Sequence, residues 1–211
     1  MRSLTPLEAR VLGVLVEKQH TVPDTYPLSL NALLAGCNQK TARDPVIGAT
    51  EAEVLTALDG LKSLSLVFEG SSSRVARYEH NMARVYALPA ASAALLATLM
   101  LRGPQTAAEL RQHSERLYRF ADISSVEGFL DELAVKEPAR VLKLPRAPGA
   151  REARWAHLLC GEVALDAAAT AGVSAGEIAA LKAELLRLAD EQTRLRQWAQ
   201  RVGVELGIEP P

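Results

Sequence analysis

The sequence predicts a mainly α-helical α+β protein in which two tandem winged helix-turn-helix domains are followed by a C-terminal heptad helix. Three observations predict it. Capped amphipathic runs are followed by a short strand-turn-strand pattern, that order occurs twice, and the last third of the chain carries apolar residues at alternating steps of three and four.

Helix starts are marked by Ser/Thr-x-x-Glu, in which the first side chain accepts from a free backbone N–H and the glutamate reaches back to the cap. The pattern stands at Thr5/Glu8, Thr50/Glu53, Thr106/Glu109, Ser124/Glu127 and Ser174/Glu177. A first helix over about 5–19 has Pro6 at its first position and the stripe Leu7, Val11, Leu12 and Leu15. A second, from Ser29 to about Gly36, precedes a third from Thr50 to about Ser65 with Val54, Leu55, Leu58 and Leu61 on one face. The period then changes. Residues 66–69, a turn at 70–73 and residues 75–80 read as a β-hairpin, the wing of the first domain.

The second half repeats the order. Leu95, Leu96, Leu99 and Met100 form a helix stopped by Gly103-Pro104, a second helix covers Thr106 to about Tyr118, and a third runs from Ser124 to about Lys136 on Val126, Phe129, Leu130 and Leu133. Residues 141–144, a Pro-rich turn at 145–149 and residues 154–159 make the second wing. The halves are offset by about 84 residues at their first helices and about 72 at their third, so the first carries an extra loop over 37–49. The domains expected are 1–86 and 87–160, joined without a flexible linker because 82–89 is short and apolar, and 161–211 is a separate linker and helix.

In that tail Ile178, Leu181, Leu185, Leu188, Gln192, Leu195, Ala199 and Val202 form a heptad seam. With Ile178 at an a position, Glu177 with Lys182 and Glu191 with Arg196 flank the seam with opposite charges, and Gln192 would fix register. The seam predicts a homodimer through a coiled coil; the competing reading is one amphipathic helix folded onto its own domains.

Composition narrows the class. Of 211 residues 48% are hydrophobic, which excludes a disordered chain, and no stretch reaches the ~18 apolar residues of a membrane span. The first residues lack the apolar run of a signal peptide, so a soluble cytoplasmic protein without membrane association is expected. Cys37 and Cys160 stand alone in their halves, without a disulfide or metal pattern. The phosphate loop, nucleophile elbow, zinc-protease helix and dinucleotide fingerprint are all missing, and the four histidines are scattered. The sequence therefore points away from an enzyme and implies no cofactor or metal.

Twenty-four Lys and Arg nearly balance twenty-five Asp and Glu, which argues against a dedicated nucleic-acid binder until the charge is divided. Residues 1–88 hold nine bases and nine acids, 89–161 ten and eight, and 162–211 five and eight. Within the basic middle, Arg140, Lys143, Arg146, Arg151 and Arg154 face a single Glu152, so the second wing is a candidate DNA contact, with Arg146 and Arg151 flanking its turn. The competing expectation pairs these arginines with Glu127, Asp131 or the acidic tail. Both third helices carry acids at outward positions, among them Glu51, Glu53, Asp59, Glu127, Asp131 and Glu132, where a groove-reading helix needs donors to base edges. The inserted loop offers donors at Asn38, Gln39, Lys40 and Arg43. Either these meet nucleic acid, or Asn38, Gln39 and Arg43 tie the loop to Tyr26, Asp24 or the caps, in which case they are buried and internally satisfied.

The stretches LTPLEARVLGVLVEK (4–18), YPLSLNALLAGCNQKTARDPV (26–46), RGPQTAAELRQHSERLY (102–118) and LPRAPGAREARWAHLL (144–159) closely resemble the bacterial YceH-like proteins. The resemblance covers about residues 3–160 in order. It implies a tandem winged-helix fold with a variable tail and supplies no activity or site residue. Two functions follow from the residues: a DNA-associated regulator that touches phosphates with the second wing, or a protein-interaction scaffold that uses the winged-helix surfaces without nucleic acid.

Overall fold

A computed structural model describes residues 2–70, 75–146 and 149–163 and, in the tail, 187, 191–194, 196 and 200. Residues 1–146 with 150–164 make one compact unit, and 147–149 with 165–211 make another. The order in the first unit is α1 (Pro6–Thr21), a single 3-10 turn (Pro23–Thr25), β1 (Leu28–Ser29), α2 (Leu30–Cys37), α3 (Glu51–Ser63), β2 (Val67–Gly70), β3 (Arg77–His80), α4 (Met82–Val85), α5 (Ala90–Arg102), α6 (Ala107–His113), α7 (Ile123–Ala134), β4 (Val141–Lys143) and β5 (Trp155–His157). This is the α+β class expected, helices with two small antiparallel sheets.

Three of the five predicted capping boxes close as drawn. Thr5, Thr50 and Thr106 each accept from the N–H three residues on, and Glu8, Glu53 and Glu109 return to the cap N–H. The fourth is corrected. The cap of α7 is Asp122, which accepts from Ser125 N–H at 2.7 Å while the Ser125 hydroxyl lies 3.4 Å from the Asp122 N–H, so Ser124 is already inside the helix. The fifth, Ser174/Glu177, lies outside the described residues, as do residues 71–73 of the turn expected at 70–73.

Helix α6 is shorter than expected, ending at His113 rather than near Tyr118. The Ser114 hydroxyl donates back to Leu110 O at 2.6 Å, and the Leu117 N–H closes a turn on Ser114 O at 2.8 Å. Three elements were not foreseen: the 3-10 turn at Pro23–Thr25, α4, in the stretch read as a short connection, and β1, whose two residues pair with β3 at Leu28↔Tyr78 and Ser29↔Arg77. The sheet order is β1-β3-β2 in the first half, with Val67↔His80 and Phe68↔Glu79 across the hairpin, and β4-β5 in the second, with Val141↔His157 and Lys143↔Trp155.

One hydrophobic core runs through both halves. Val11, Leu12 and Leu15 of α1, Val54, Leu58 and Leu61 of α3, Leu95, Leu96 and Leu99 of α5, and Val126, Leu130 and Leu133 of α7 are all buried within it. Helices α1 and α5 are its spine, since Glu8 to Val16 of one and Ala91 to Leu101 of the other are buried around the whole circumference. Small residues bring them close. A Cβ built on Gly13 would lie 3.0 Å from Leu101 Cγ and 3.3 Å from Met100 Cβ, and α5 supplies alanines at 91, 93, 94 and 97. Close backbone approach fills this core, which explains how nine aromatic residues suffice.

Helix α5 stops at Gly103, whose φ of +70° favours glycine, and Pro104 follows. Cys37 is fully buried, and burial pushes its thiol up to about 12; Cys160 is half-buried and raised to about 11. In the tail, residues 191–194 are helical and exposed, Gln192 among them, whereas Ile178, Leu181, Leu185, Leu188, Leu195 and Val202 lie outside the described residues.

Candidate nucleic-acid interface

The second hairpin stands on a fixed base. Gln105, just past the end of α5, bridges Trp155 of β5 with both backbone bonds, Gln105 N–H to Trp155 O at 3.0 Å and Trp155 N–H to Gln105 O at 2.7 Å. The Gln105 side chain is buried, its Oε1 2.5 Å from His113 Nδ1 of α6. The hairpin therefore rests on the α5–α6 junction through backbone bonds to a residue whose own side chain is fixed within that junction.

Its basic residues divide by position. Arg140 lies over the Tyr86 ring at 4.5 Å from guanidinium carbon to centroid, and Lys143 Nζ lies 5.2 Å above the Trp155 ring, so both charges rest on aromatic faces. Arg154 donates to Pro104 O at 2.8 Å and to Glu109 Oε1 at 3.2 Å, neither of the acids expected for it. Arg146 and Arg151, in the connection between β4 and β5, are exposed and have no ion pair or hydrogen bond among the described residues; residues 147 and 148 of the expected turn lie outside those described.

The inserted loop is built differently from its donor content. Asn38 clamps it shut, donating from Nδ2 to Ala49 O and accepting from Ala49 N–H, both at 2.8 Å. Arg43 is wholly buried at its side chain and holds Glu17 through Nη2–Oε2 at 2.6 Å and Nη1–Oε1 at 3.1 Å, with further bonds to Gly36 O and Ala42 O. Gln39 accepts from Lys18 and Arg43, each at 3.4 Å, and donates to Thr41 Oγ1 at 3.2 Å. As nucleic-acid contacts Asn38, Gln39 and Arg43 are withdrawn, because their polar atoms complete the fold. They do so through Ala49, Lys18 and Glu17, not through Tyr26 or Asp24. Lys40 stays exposed.

Loop and hairpin nevertheless meet. Arg43, Asp44, Arg102, Glu109, His113 and Arg154 line one cleft of about 250 Å³. Arg43 is neutralised by Glu17 and Arg154 by Glu109, which leaves Arg102, half-buried, and Asp44, exposed, each without a bonded side-chain partner among the described residues. Burial lowers the Arg102 pKa, and the nearby Arg43 charge adds to that. Sequence reasoning missed Arg102 because a base in the last turn of a helix is already accounted for by the helix dipole. Burial likewise lowers the pKa of His113, with Arg102 contributing.

The third helices turn acids outward, as expected. Glu51, Glu53 and Asp59 of α3 and Glu127, Asp131 and Glu132 of α7 are all exposed. Among the described residues no three His, Cys, Asp or Glu side chains are grouped to hold a metal ion, and no helix is long and apolar enough to cross a membrane.

Comparison with known proteins places the chain. The model of the DUF480 family, described as a protein of unknown function, matches residues 4–150. The chain belongs to the DUF480 family. Relatives include a UPF0502 protein of Leptothrix cholodnii, 67% identical over 98% of this chain and 97% of its own, and UPF0502 proteins of Burkholderia thailandensis and Burkholderia multivorans, each 66% identical over 99% of this chain and 92% of theirs. The DUF480 match ends at 150, inside the second hairpin, whereas the relatives align across the tail as well.

Proposed function

We propose that this DUF480 protein is a non-enzymatic tandem winged-helix protein that associates with DNA by contacting phosphates through its second hairpin. The observation that carries this reading is the pair Arg146 and Arg151, both exposed in the connection between β4 and β5 and unneutralised among the described residues. Lys40, exposed on the inserted loop, adds a further base, whereas Arg102 in the cleft at the hairpin base shares that cleft with the unpaired Asp44 and adds no net charge. Phosphate contact needs charge and reach, and base reading needs donors on a helix, which the acidic faces of α3 and α7 do not offer. The binding expected is therefore weakly sequence-dependent and strongly salt-dependent.

Duplex DNA binding measured by fluorescence anisotropy across a salt series tests this. The wild type should bind at low salt, and Arg146→Ala with Arg151→Ala should weaken binding on all sequences and reduce the salt slope by about two, one for each phosphate no longer neutralised. Arg154 is unsuited to the test because it holds Glu109 and Pro104. No binding at low salt, or a slope unchanged by the double substitution, overturns the reading.

A further inference from the structure

On the side of α1 and α5 that faces the 44–49 segment lies a second concavity, a groove of about 570 Å³. Its walls are the start of α1, the end of α5, the loop from Asp44 to Ala49, strand β5 and residues 160–163. That volume falls within the range of small-molecule sites, ~300–1,000 Å³. Leu7, Ile47, Leu99, Met100, Ala156 and Val163 give it an apolar lining.

Its charges are unevenly committed. The one guanidinium present, Arg10, is only 4% exposed and is bound to two backbone carbonyls, Cys37 O at 3.2 Å and Pro45 O at 2.7 Å. His157, also in the lining, is held neutral by burial, its pKa lowered to about 4. Three carboxylates belong to the groove: Asp44, Glu53 and Glu162, all exposed. None of them is in an ion pair among the described residues, and of the three only Glu53 has side-chain hydrogen bonds there, to its cap Thr50. The concavity thus joins an apolar floor to an acidic margin with a fixed excess of negative charge.

We infer that this groove binds a small organic cation with an apolar body, the body against Leu99, Met100 and Ile47 and the charge toward Asp44 and Glu162. An anion of the same shape would meet like charge, and a neutral apolar molecule would leave the carboxylates without a partner. The inference does not depend on DNA association, because it uses none of Arg102, Arg146 or Arg151; Asp44 borders the Arg102 cleft too, and Glu162 belongs to this groove alone.

Tetraphenylphosphonium and tetraphenylborate, matched in size and opposite in charge, are the probes, measured on the full chain by isothermal titration calorimetry. The cation should bind with a stoichiometry of one and the borate at least about tenfold more weakly. The double variant Asp44→Asn, Glu162→Gln should lose about two- to fivefold in affinity for each charge removed, the range of exposed ion pairs. Gly48→Trp should abolish binding. Gly48 lines the groove and a Cβ there meets no atom within 4 Å, so the ring is added at the groove wall without a clash, and unchanged circular dichroism verifies the fold. Equal affinity for the two probes, no binding of the cation, or affinity indifferent to the carboxylate pair or to Gly48→Trp overturns the inference.

Discussion

Arg43 and Glu17, 26 residues apart in the chain, meet in a two-point bond at 2.6 and 3.1 Å that fastens the inserted loop to α1. Removing the acid strands a wholly buried guanidinium, which is costlier than removing both charges. Glu17→Gln should therefore destabilise by about 3 kcal/mol and Arg43→Met by less, since Glu17 keeps Lys18 at 3.2 Å. Urea denaturation at neutral pH measures both. Burial raises the Glu17 pKa, but the hydrogen bonds and charge of Arg43, with the Lys18 charge, outweigh it and the net direction is down. The stabilisation is then present above the ordinary carboxylate value and lost as pH falls through the lower folded value. Glu17→Gln should flatten this acid-side loss.

His80 and His157 are both lowered to about 4, by burial in each case, with the His20 charge adding to the effect at His80. Between pH 6.5 and about 4 the unfolded chain binds protons that these folded histidines refuse, so stability rises with pH across that window. Each contributes a slope of at most about 1.4 kcal/mol per pH unit. Denaturation at about pH 7 and about pH 5 should show the protein less stable at the lower pH, and His80→Asn with His157→Asn should narrow the difference. Proton NMR should find neither imidazole titrating near the ordinary value of 6.5.

Gly36 and Gly128 make a matched pair. A Cβ on Gly36 would lie 2.6 Å from Val14 Cγ1, and a β-branched side chain in a buried helix has little room to yield. Gly36→Ala should destabilise by about 1–3 kcal/mol through overpacking of α1 against α2. At Gly128, in α7, nothing lies within 4 Å of the same atom. Gly128→Ala should stabilise by about 0.5–1 kcal/mol, and thermal melts of the two variants should move in opposite directions.

Asn38 satisfies both backbone groups of Ala49, and Asn38→Ala leaves them unpaired in a partly buried place. A loss of about 2 kcal/mol is expected, against a negligible effect for Lys40→Ala on the exposed face of the same loop. Hydrogen exchange should show the Ala49 amide losing protection in the first variant and keeping it in the second.

What could be read in the sequence was what acts over three or four residues. The boxes at Thr5, Thr50 and Thr106 are complete within one turn, and the stop at Gly103-Pro104 is equally local. Ser124 shows the limit, since Ser-x-x-Glu fits there while Asp122, two residues earlier, makes the cap. Strand β1 left no mark because its two residues are a strand only beside β3. The candidate site was less legible than the fold for the same reason. Asn38, Gln39 and Arg43 have the composition of a binding loop, and only their partners at 49, 18 and 17 reveal their use. Arg102 was silent because what distinguishes it is the absence of a bonded partner among the described residues, which no pattern of types can express.

The two backbone hydrogen bonds between Gln105 and Trp155 hold the second hairpin as the fixed end of a cantilever is held, anchored at the helix junction. Burial is concentrated at the anchor, in Trp155 and Gln105, while Arg146 and Arg151 are exposed and contribute charge alone. The sign and number of charges at 146 and 151 can therefore change without cost to folding, so the load the arm carries is set independently of the arm itself.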